Sequence, residues 1–235
     1  MADYTQAIEI DFNYTNAYNN RGLLYKQQGK FDLALADYTQ IIEIDSDSAA
    51  AYNNRGVLYQ EQGEFDLALA DYTQAIEIDS DYADAYNNRS VLYQEQGKLD
   101  LALADYTQII EIDSNNAFVY FDRGNLYKQQ GKLDLALTDY TQAIEIDFNY
   151  TFAYSNRGLL YQKQGEFDLA LADFTQAIKI DSDYAFAYFN RASLYRQQGN
   201  FDAARNDLIK AQQLFTAQGN SIAAKGVESM LKQLP

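Results

Sequence analysis

The sequence predicts an all-α solenoid of antiparallel helical hairpins. Three observations carry that prediction. Glycine recurs at 29, 63, 97, 131, 165 and 199, and tyrosine at 18, 52, 86, 120, 154 and 188, always 34 residues apart. A second tyrosine series, at 25, 59, 93, 127, 161 and 195, keeps the same interval. Inside each interval the apolar residues follow helical spacing in two stretches, with the glycine between them. A fixed period of this length marks stacked repeats, each too small to bury its own apolar face.

Residues 49–82 illustrate one unit. In "AAAYNNRGVLYQEQG", Tyr52, Gly56 and Tyr59 fall at i, i+4 and i+7, one face of a first helix. Gly63 stands where a helix C-terminus favours a left-handed residue. In "FDLALADYTQAIEID", Phe65, Ala68, Tyr72, Ala75, Ile76 and Ile78 form the stripe of a second helix, and Asp66 suits its first turn. Asp81 is the expected N-cap of the next unit. The same reading divides a single repeat domain, 1–235, into a partial unit (1–14), six full units (15–48, 49–82, 83–116, 117–150, 151–184 and 185–218) and a C-terminal capping helix (219–235). In that last helix Ile222, Val227, Met230, Leu231 and Leu234 form the expected apolar stripe, with Asn220 or Ser221 as N-cap. Residues 1–11 match only the back half of a second helix. That fits an array that begins upstream, or an apolar edge that recruits another chain.

Composition narrows the function. The formal charge of −16 disfavours duplex nucleic acid and anionic membranes as partners. Cysteine and histidine are absent, which removes disulfides, thiolate nucleophiles, the usual zinc ligands and the commonest general base. Carboxylates are plentiful, yet they recur in every unit, as frame and surface residues do; a catalytic pair would be expected once, in a cleft. The "DSDS" at 45–48 lacks the central glycine and closing glutamate of a calcium loop. No catalytic residue, metal site or cofactor is expected. With no signal peptide and no spanning segment in view, a cytoplasmic location is expected.

The segments "YNNRGVLY", "ALADY" and "IDSD" resemble the tetratricopeptide repeat, with Tyr for Trp, Arg for Leu and Ser or Phe in place of Pro. The resemblance implies a right-handed superhelical solenoid that serves as a protein-interaction scaffold. It also implies that one face of the first helices lines a concave groove where peptides bind. The family's clamp for chaperone C-termini needs Lys or Arg at positions that here hold Asn, Ala, Asp, Ser and Phe, so that ligand is disfavoured.

Comparing the six copies separates frame from free positions. With Ala49 as position 1, positions 4, 8, 10 and 11 barely change and form the packing face. Position 7 is always Arg (21, 55, 89, 123, 157, 191), and each second helix carries an Asp before its aromatic or, in the last copy, Leu (37, 71, 105, 139, 173, 207). These are expected to pair, since the guanidinium fork satisfies both carboxylate oxygens. Residues 6–40 and 142–176 differ at six positions of 35, which reads as block duplication.

Positions 2, 5, 9 and 12 share another stripe and vary most. Early copies are polar there, with Asp84, Glu61 and Glu95 nearby. Later copies gather Phe118, Phe121, Phe152, Phe186 and Phe189 near Lys128, Lys163 and Arg196. Exposed Phe forgoes about 1.5–3 kcal/mol of burial, and clustered apolar surface marks an interaction site; packing of the rings on one another is the other expectation. Position 6 reads Asn20, Asn54, Asn88, Asp122, Asn156 and Asn190. An amide offers donor and acceptor to any peptide backbone, and some members of the family use a similar asparagine ladder in that way. The expected function is a non-catalytic scaffold that binds a peptide segment of a partner in the groove. The alternative is a solenoid that forms a homo-oligomer through its N-terminal edge.

Overall fold

The computed structural model describes residues 1–235. They form two compact units, Met1–Ser114 and Asn115–Pro235. The first contains α1 (Ala2–Ile10), α2 (Thr15–Gln27), α3 (Phe31–Ile44), α4 (Ala49–Glu61), α5 (Phe65–Ile78), α6 (Ala83–Glu95) and α7 (Leu99–Ile112). The second contains α8 (Ala117–Gln129), α9 (Leu133–Ile146), α10 (Thr151–Gln164), α11 (Phe167–Ile180), α12 (Ala185–Gln197), α13 (Phe201–Ala217) and α14 (Ser221–Lys232). Even-numbered helices from α2 to α12 are the first arms of hairpins and the following odd-numbered helices their second arms.

Each hairpin turn rests on backbone chemistry. Gly63 adopts φ +79°, which lets Glu64 N–H reach the Tyr59 carbonyl at 2.8 Å and Gly63 N–H the Gln60 carbonyl at 3.0 Å. Those two bonds close the helix end in a Schellman turn that a β-carbon would strain. Between hairpins the turn is built differently from the expectation. Asp81 does not cap α6: its N–H donates to the Asp79 carboxylate at 3.1 Å, and Tyr82 stands at the N-cap without a side-chain bond. The two acidic residues thus fold a tight Asx turn, which leaves no room for Asp81 to turn back onto the helix. Asn116 does cap α8, accepting from the Phe118 and Val119 N–H groups, and Asn220 caps α14.

Close approach of the two arms explains the glycine at position 8. A β-carbon on Gly56 would lie 2.8 Å from the Tyr72 ring, and one on Gly158 would lie 2.8 Å from Phe174. The ring is fully buried in each case, a gain of about 1.5–3 kcal/mol per side chain. In the last hairpin the aromatic becomes Leu208, and Ala192 replaces the glycine; both are wholly buried. α14 and the residues after it then cover the end of this core with Val227 and Leu234, with Met230 and Leu231 packed beside them. Ile222 departs from the expected stripe and stands 86% exposed.

All six position-7 arginines form the expected pair. Arg55 Nε and Nη2 each donate at 2.8 Å to the two Asp71 oxygens, and the other five repeat this fork at 2.7–2.9 Å. The third nitrogen reaches backward. Arg55 Nη1 donates to Thr39 Oγ1 of the preceding second arm at 3.3 Å, and Arg21, Arg89, Arg157 and Arg191 do likewise to Thr5, Thr73, Thr141 and Thr175. The guanidinium also lies between two tyrosine rings, 5.4 Å from Tyr52 and 5.9 Å from Tyr59. Hydrogen bonds to the carboxylate hold the Arg21, Arg55, Arg123 and Arg191 pKa values above the ordinary one, against the cost of burial.

Removing one member of such a pair strands a buried charge. Arg55→Ala is expected to cost about 3–5 kcal/mol, measured by urea unfolding followed by circular dichroism. The double replacement Arg55→Met, Asp71→Leu is expected to lose much less. Equal losses would show that the stranded Asp71 carboxylate is not the cause.

Candidate functional site: an aromatic ladder on three first helices

Within Asn115–Pro235, positions 2 and 5 of α8, α10 and α12 carry the five expected Phe, and the structure adds a second set of rings. Tyr150 and Tyr184, the last residues of their repeats, and Phe215 of the lengthened α13 fill the spaces between them. Phe118 and Phe121 lie 5.2 and 5.0 Å from Tyr150, Phe152 is 6.5 Å from Tyr150 and 5.3 Å from Tyr184, and Phe186 is 6.1 Å from Tyr184 and 4.9 Å from Phe215. Tilted and edge-on contacts of this kind contribute about 0.5–1.5 kcal/mol each beyond burial. The ring planes thus support one another, and Phe118, Phe152 and Phe186 still leave 67, 51 and 48% of their surface to solvent. Phe121 and Phe189 are half-buried in the floor.

The asparagines of position 6 have structural partners. Asn54 Nδ2 donates to Asn19 Oδ1 at 3.2 Å and Asn88 Nδ2 to Asn53 Oδ1 at 2.9 Å, in Met1–Ser114. In the second unit Asn190 Nδ2 meets Ser155 Oγ at 3.4 Å, and Asn156 Nδ2 donates to Asn125 Oδ1 at 2.9 Å. The last bond goes to position 9, because position 5 of that hairpin is Phe121 and offers no acceptor. Each amide therefore brackets two successive hairpins with one N–H, and Asn156 also bonds the Tyr140 hydroxyl. Asn20 is exposed. Asp122 is half-buried, and desolvation raises its carboxyl pKa.

Apart from the position-7 arginines, the cations of the first helices stand at positions 12 and 13. Lys26 at position 12 pairs with Glu61 at position 13 of the next hairpin, 3.0 Å apart, and Gln162 bonds Gln197 in the same register at 3.3 Å. From Lys128 the same offset of 35 residues falls on Lys163, so no carboxylate stands at that register. Lys128 is half-buried with its pKa lowered by desolvation, whereas Lys163 and Arg196 are exposed.

Position 12 also serves the tyrosine hydroxyls of the second arms. Tyr72 Oη donates to Gln60 at 2.8 Å, and Gln94 donates to Tyr106 Oη at 2.7 Å. Where Lys128 replaces Gln, Tyr140 Oη turns to Asn125 at 2.8 Å. Where Lys26 replaces it, Tyr38 Oη is buried with no partner. Tyr150, Tyr184 and Phe215 were the site residues missed in the sequence, although a tyrosine recurs at the last position of the repeat as Tyr14, Tyr82, Tyr150 and Tyr184. An open depression of about 570 Å³ beside Tyr86, Arg89, Asp100 and Leu103 borders the structural Arg89–Asp105 pair. No group of three or more acidic side chains converges to hold a metal ion, and no helix is long and apolar enough to cross a membrane.

Family models described as TPR repeat match residues 22–63, 92–131 and 124–165, and models described as tetratricopeptide repeat match 49–82, 71–104, 151–184 and 174–206. The chain belongs to the tetratricopeptide repeat family. No curated protein matches it in sequence. Among solved structures it is similar to YrrB, described as a TPR protein with an unusual peptide-binding site, at 26% identity and TM-score 0.66, over 82% of this chain and 97% of that one. The C-terminal part of a TPR repeat-containing protein from Cytophaga hutchinsonii superposes with TM-score 0.77 at 19% identity, covering 95% and 94% of the two chains. Pseudomonas aeruginosa pilF gives 0.73 at 21%, covering 92% and 97%. At those last two identities the likeness is one of fold.

Two substitutions test the side-chain bookkeeping of this face. Tyr38→Phe removes a hydroxyl that has no partner and is expected to be neutral or stabilising, whereas Tyr72→Phe loses a made bond and is expected to cost about 1 kcal/mol. Urea midpoints of the two variants decide it. Asp122→Asn restores the amide of the other copies and is expected to raise the melting temperature at pH 7. The folded-state pKa of Asp122 lies above its unfolded value, so the penalty on the carboxylate exists above the folded pKa and fades as pH falls through it. The advantage of Asp122→Asn should therefore shrink in acid and vanish below the ordinary carboxylate range. An advantage constant with pH would assign it to packing.

Proposed function

We propose that the chain is a non-catalytic protein–protein interaction scaffold whose α8, α10 and α12 present a groove for an apolar peptide segment carrying acidic residues. The observation that supports this best is the ring ladder: a mutually braced set of aromatics that still exposes half or more of Phe118 and Phe152. A braced surface loses little conformational entropy when covered, so the apolar area it offers is available for binding. Lys128 and Arg196 at position 12 and Lys163 at position 13 supply charge complementary to carboxylates. The Asn156 and Asn190 carbonyls and the Asp122 carboxylate supply acceptors for a peptide backbone. Asn20, Asn54 and Asn88 give the Met1–Ser114 unit a polar counterpart. YrrB, similar at 26% identity, is described as having a peptide-binding site, which supports a peptide as the class of ligand.

Selection of random dodecapeptides on the immobilised protein is expected to enrich sequences that combine aromatic or branched aliphatic residues with Asp or Glu. Phe152→Ala should weaken the selected peptides about tenfold, equivalent to roughly 1.4 kcal/mol. Lys128→Glu with Lys163→Glu should weaken them further and flatten their salt dependence. Peptides indifferent to all three replacements would defeat the reading. The second reading, self-association through α1, draws on Ile10 and Phe12, which are 79 and 69% exposed. A monomer by sedimentation at micromolar concentration would remove it.

A further inference from the structure

Five glycines lie inside helices: Gly22, Gly56, Gly124, Gly158 and Gly226. Glycine is the poorest helix former after proline, so each needs a reason. Four have one, since a β-carbon there would lie within about 3 Å of the opposing ring (2.8–3.1 Å). Gly226, in the middle of α14, has none of this kind: a β-carbon would meet no atom within 4 Å. It faces a hollow of about 200 Å³ lined by Phe186, Phe189, Phe215, Ala223, Gly226, Val227 and Met230. Every one of those side chains is apolar. For scale, an apolar cavity of about 150 Å³ stays dry and takes up benzene. Phe186 belongs to both the hollow and the ring ladder, so the ladder runs directly into it.

We propose that this hollow between α12, α13 and α14 is an anchor site for a single aromatic or branched aliphatic side chain of the partner segment. Gly226 keeps it open. The proposal rests on the groove reading above for the path of the rest of the segment. The occupant follows from the surroundings. No lining side chain could satisfy a polar terminus, which excludes polar anchors. The volume suits one ring or one branched chain, and the cations at positions 12 and 13 of α8, α10 and α12 call for acidic residues elsewhere on the segment.

The chain contains two methionines, Met1 and Met230, and Met230 lines the hollow. Protein labelled at the methionine methyl carbons therefore carries one reporter inside and one control outside. N-acetyl-phenylalanine amide and N-acetyl-leucine amide are expected to shift the Met230 methyl signal saturably and leave Met1 unmoved, with N-acetyl-serine amide inert. Gly226→Leu should weaken the response at least tenfold while far-ultraviolet circular dichroism stays unchanged. Gly226→Ala should raise the melting temperature and keep most of the response, which separates filling of the hollow from helix propensity. A silent Met230, an equal response to all three probes, or an undiminished response in Gly226→Leu would overturn the proposal. So would a Met230 shift that follows protein concentration without probe, since that would seat a second copy in the hollow. Phe118→Ala leaves the hollow intact. A Met230 response that survives alongside selected peptides indifferent to Phe118→Ala and Phe152→Ala would uphold the anchor and remove the ladder reading. The reverse pattern would remove the anchor alone.

Discussion

The arginine at position 7 is the constraint on which the rest of the structure depends. Its fork ties the two arms of one hairpin, and its remaining nitrogen ties that hairpin to the second arm before it. Two tyrosines hold the guanidinium plane from either side. One side chain thus dictates Tyr at positions 4 and 11, Asp at 23 and Thr at 25. The threonine shows the dependence most plainly. Position 25 is Thr at 39, 73, 107, 141 and 175, where another arginine follows, and becomes Ile209 after the last arginine. Burying such a pair is costly, and its return is register more than stability: a hairpin shifted by one residue would strand its arginine and its aspartate instead of satisfying them.

With the frame fixed in this way, the largest change on the variable stripe comes as a compensated set. The fourth first helix, α8, replaces the usual Asn, apolar residue and Gln of positions 5, 9 and 12 by Phe121, Asn125 and Lys128. Phe121 removes the acceptor that an asparagine of the next hairpin uses elsewhere, and Lys128 removes the partner of the tyrosine hydroxyl. Asn125 restores both, accepting from Asn156 at 2.9 Å and from Tyr140 at 2.8 Å. At Lys26 no such repair occurs and Tyr38 is left orphaned. A ring and a cation introduced together with their joint repair are more readily understood as kept features of a surface than as drift.

The fold was legible because its determinants are local and repeated six times. Period, turn glycine, small position 8 and the Arg–Asp pair all follow from residue types at fixed spacing. The Asx turn was misread, since Asp79 and Asp81 compete for one role and only geometry decides between them. Ile222 was misplaced because it stands five residues before Val227, more than a third of a turn away from the stripe that 227, 230, 231 and 234 form. In the site, the five Phe were visible as departures from the repeat. Tyr150 and Tyr184 were hidden in the frame, where a recurring residue looks like packing. The hollow at Gly226 was invisible for another reason: an empty space is a property of three helices at once, and no single stretch of sequence encodes it.

Charge placement narrows what the ladder can accept. The chain as a whole carries −16 and repels an acidic segment at long range. At physiological ionic strength that repulsion is screened beyond about 8 Å, so local charges govern the bound state. Lys128 and Lys163 occupy the one register in the second unit where two cations, rather than an ion pair or two amides, stand at positions 12 and 13. A segment lying along the rings can therefore place a carboxylate favourably beside α8 and α10, but not beside the acidic turns at Asp147 and Asp181. In the proposed binding mode the rings would set how tightly such a segment is held, while the two lysines would set where along the ladder its charge falls. A fixed charge position together with one deep apolar anchor at α14 would orient the chain direction of the ligand, which neither feature could do alone.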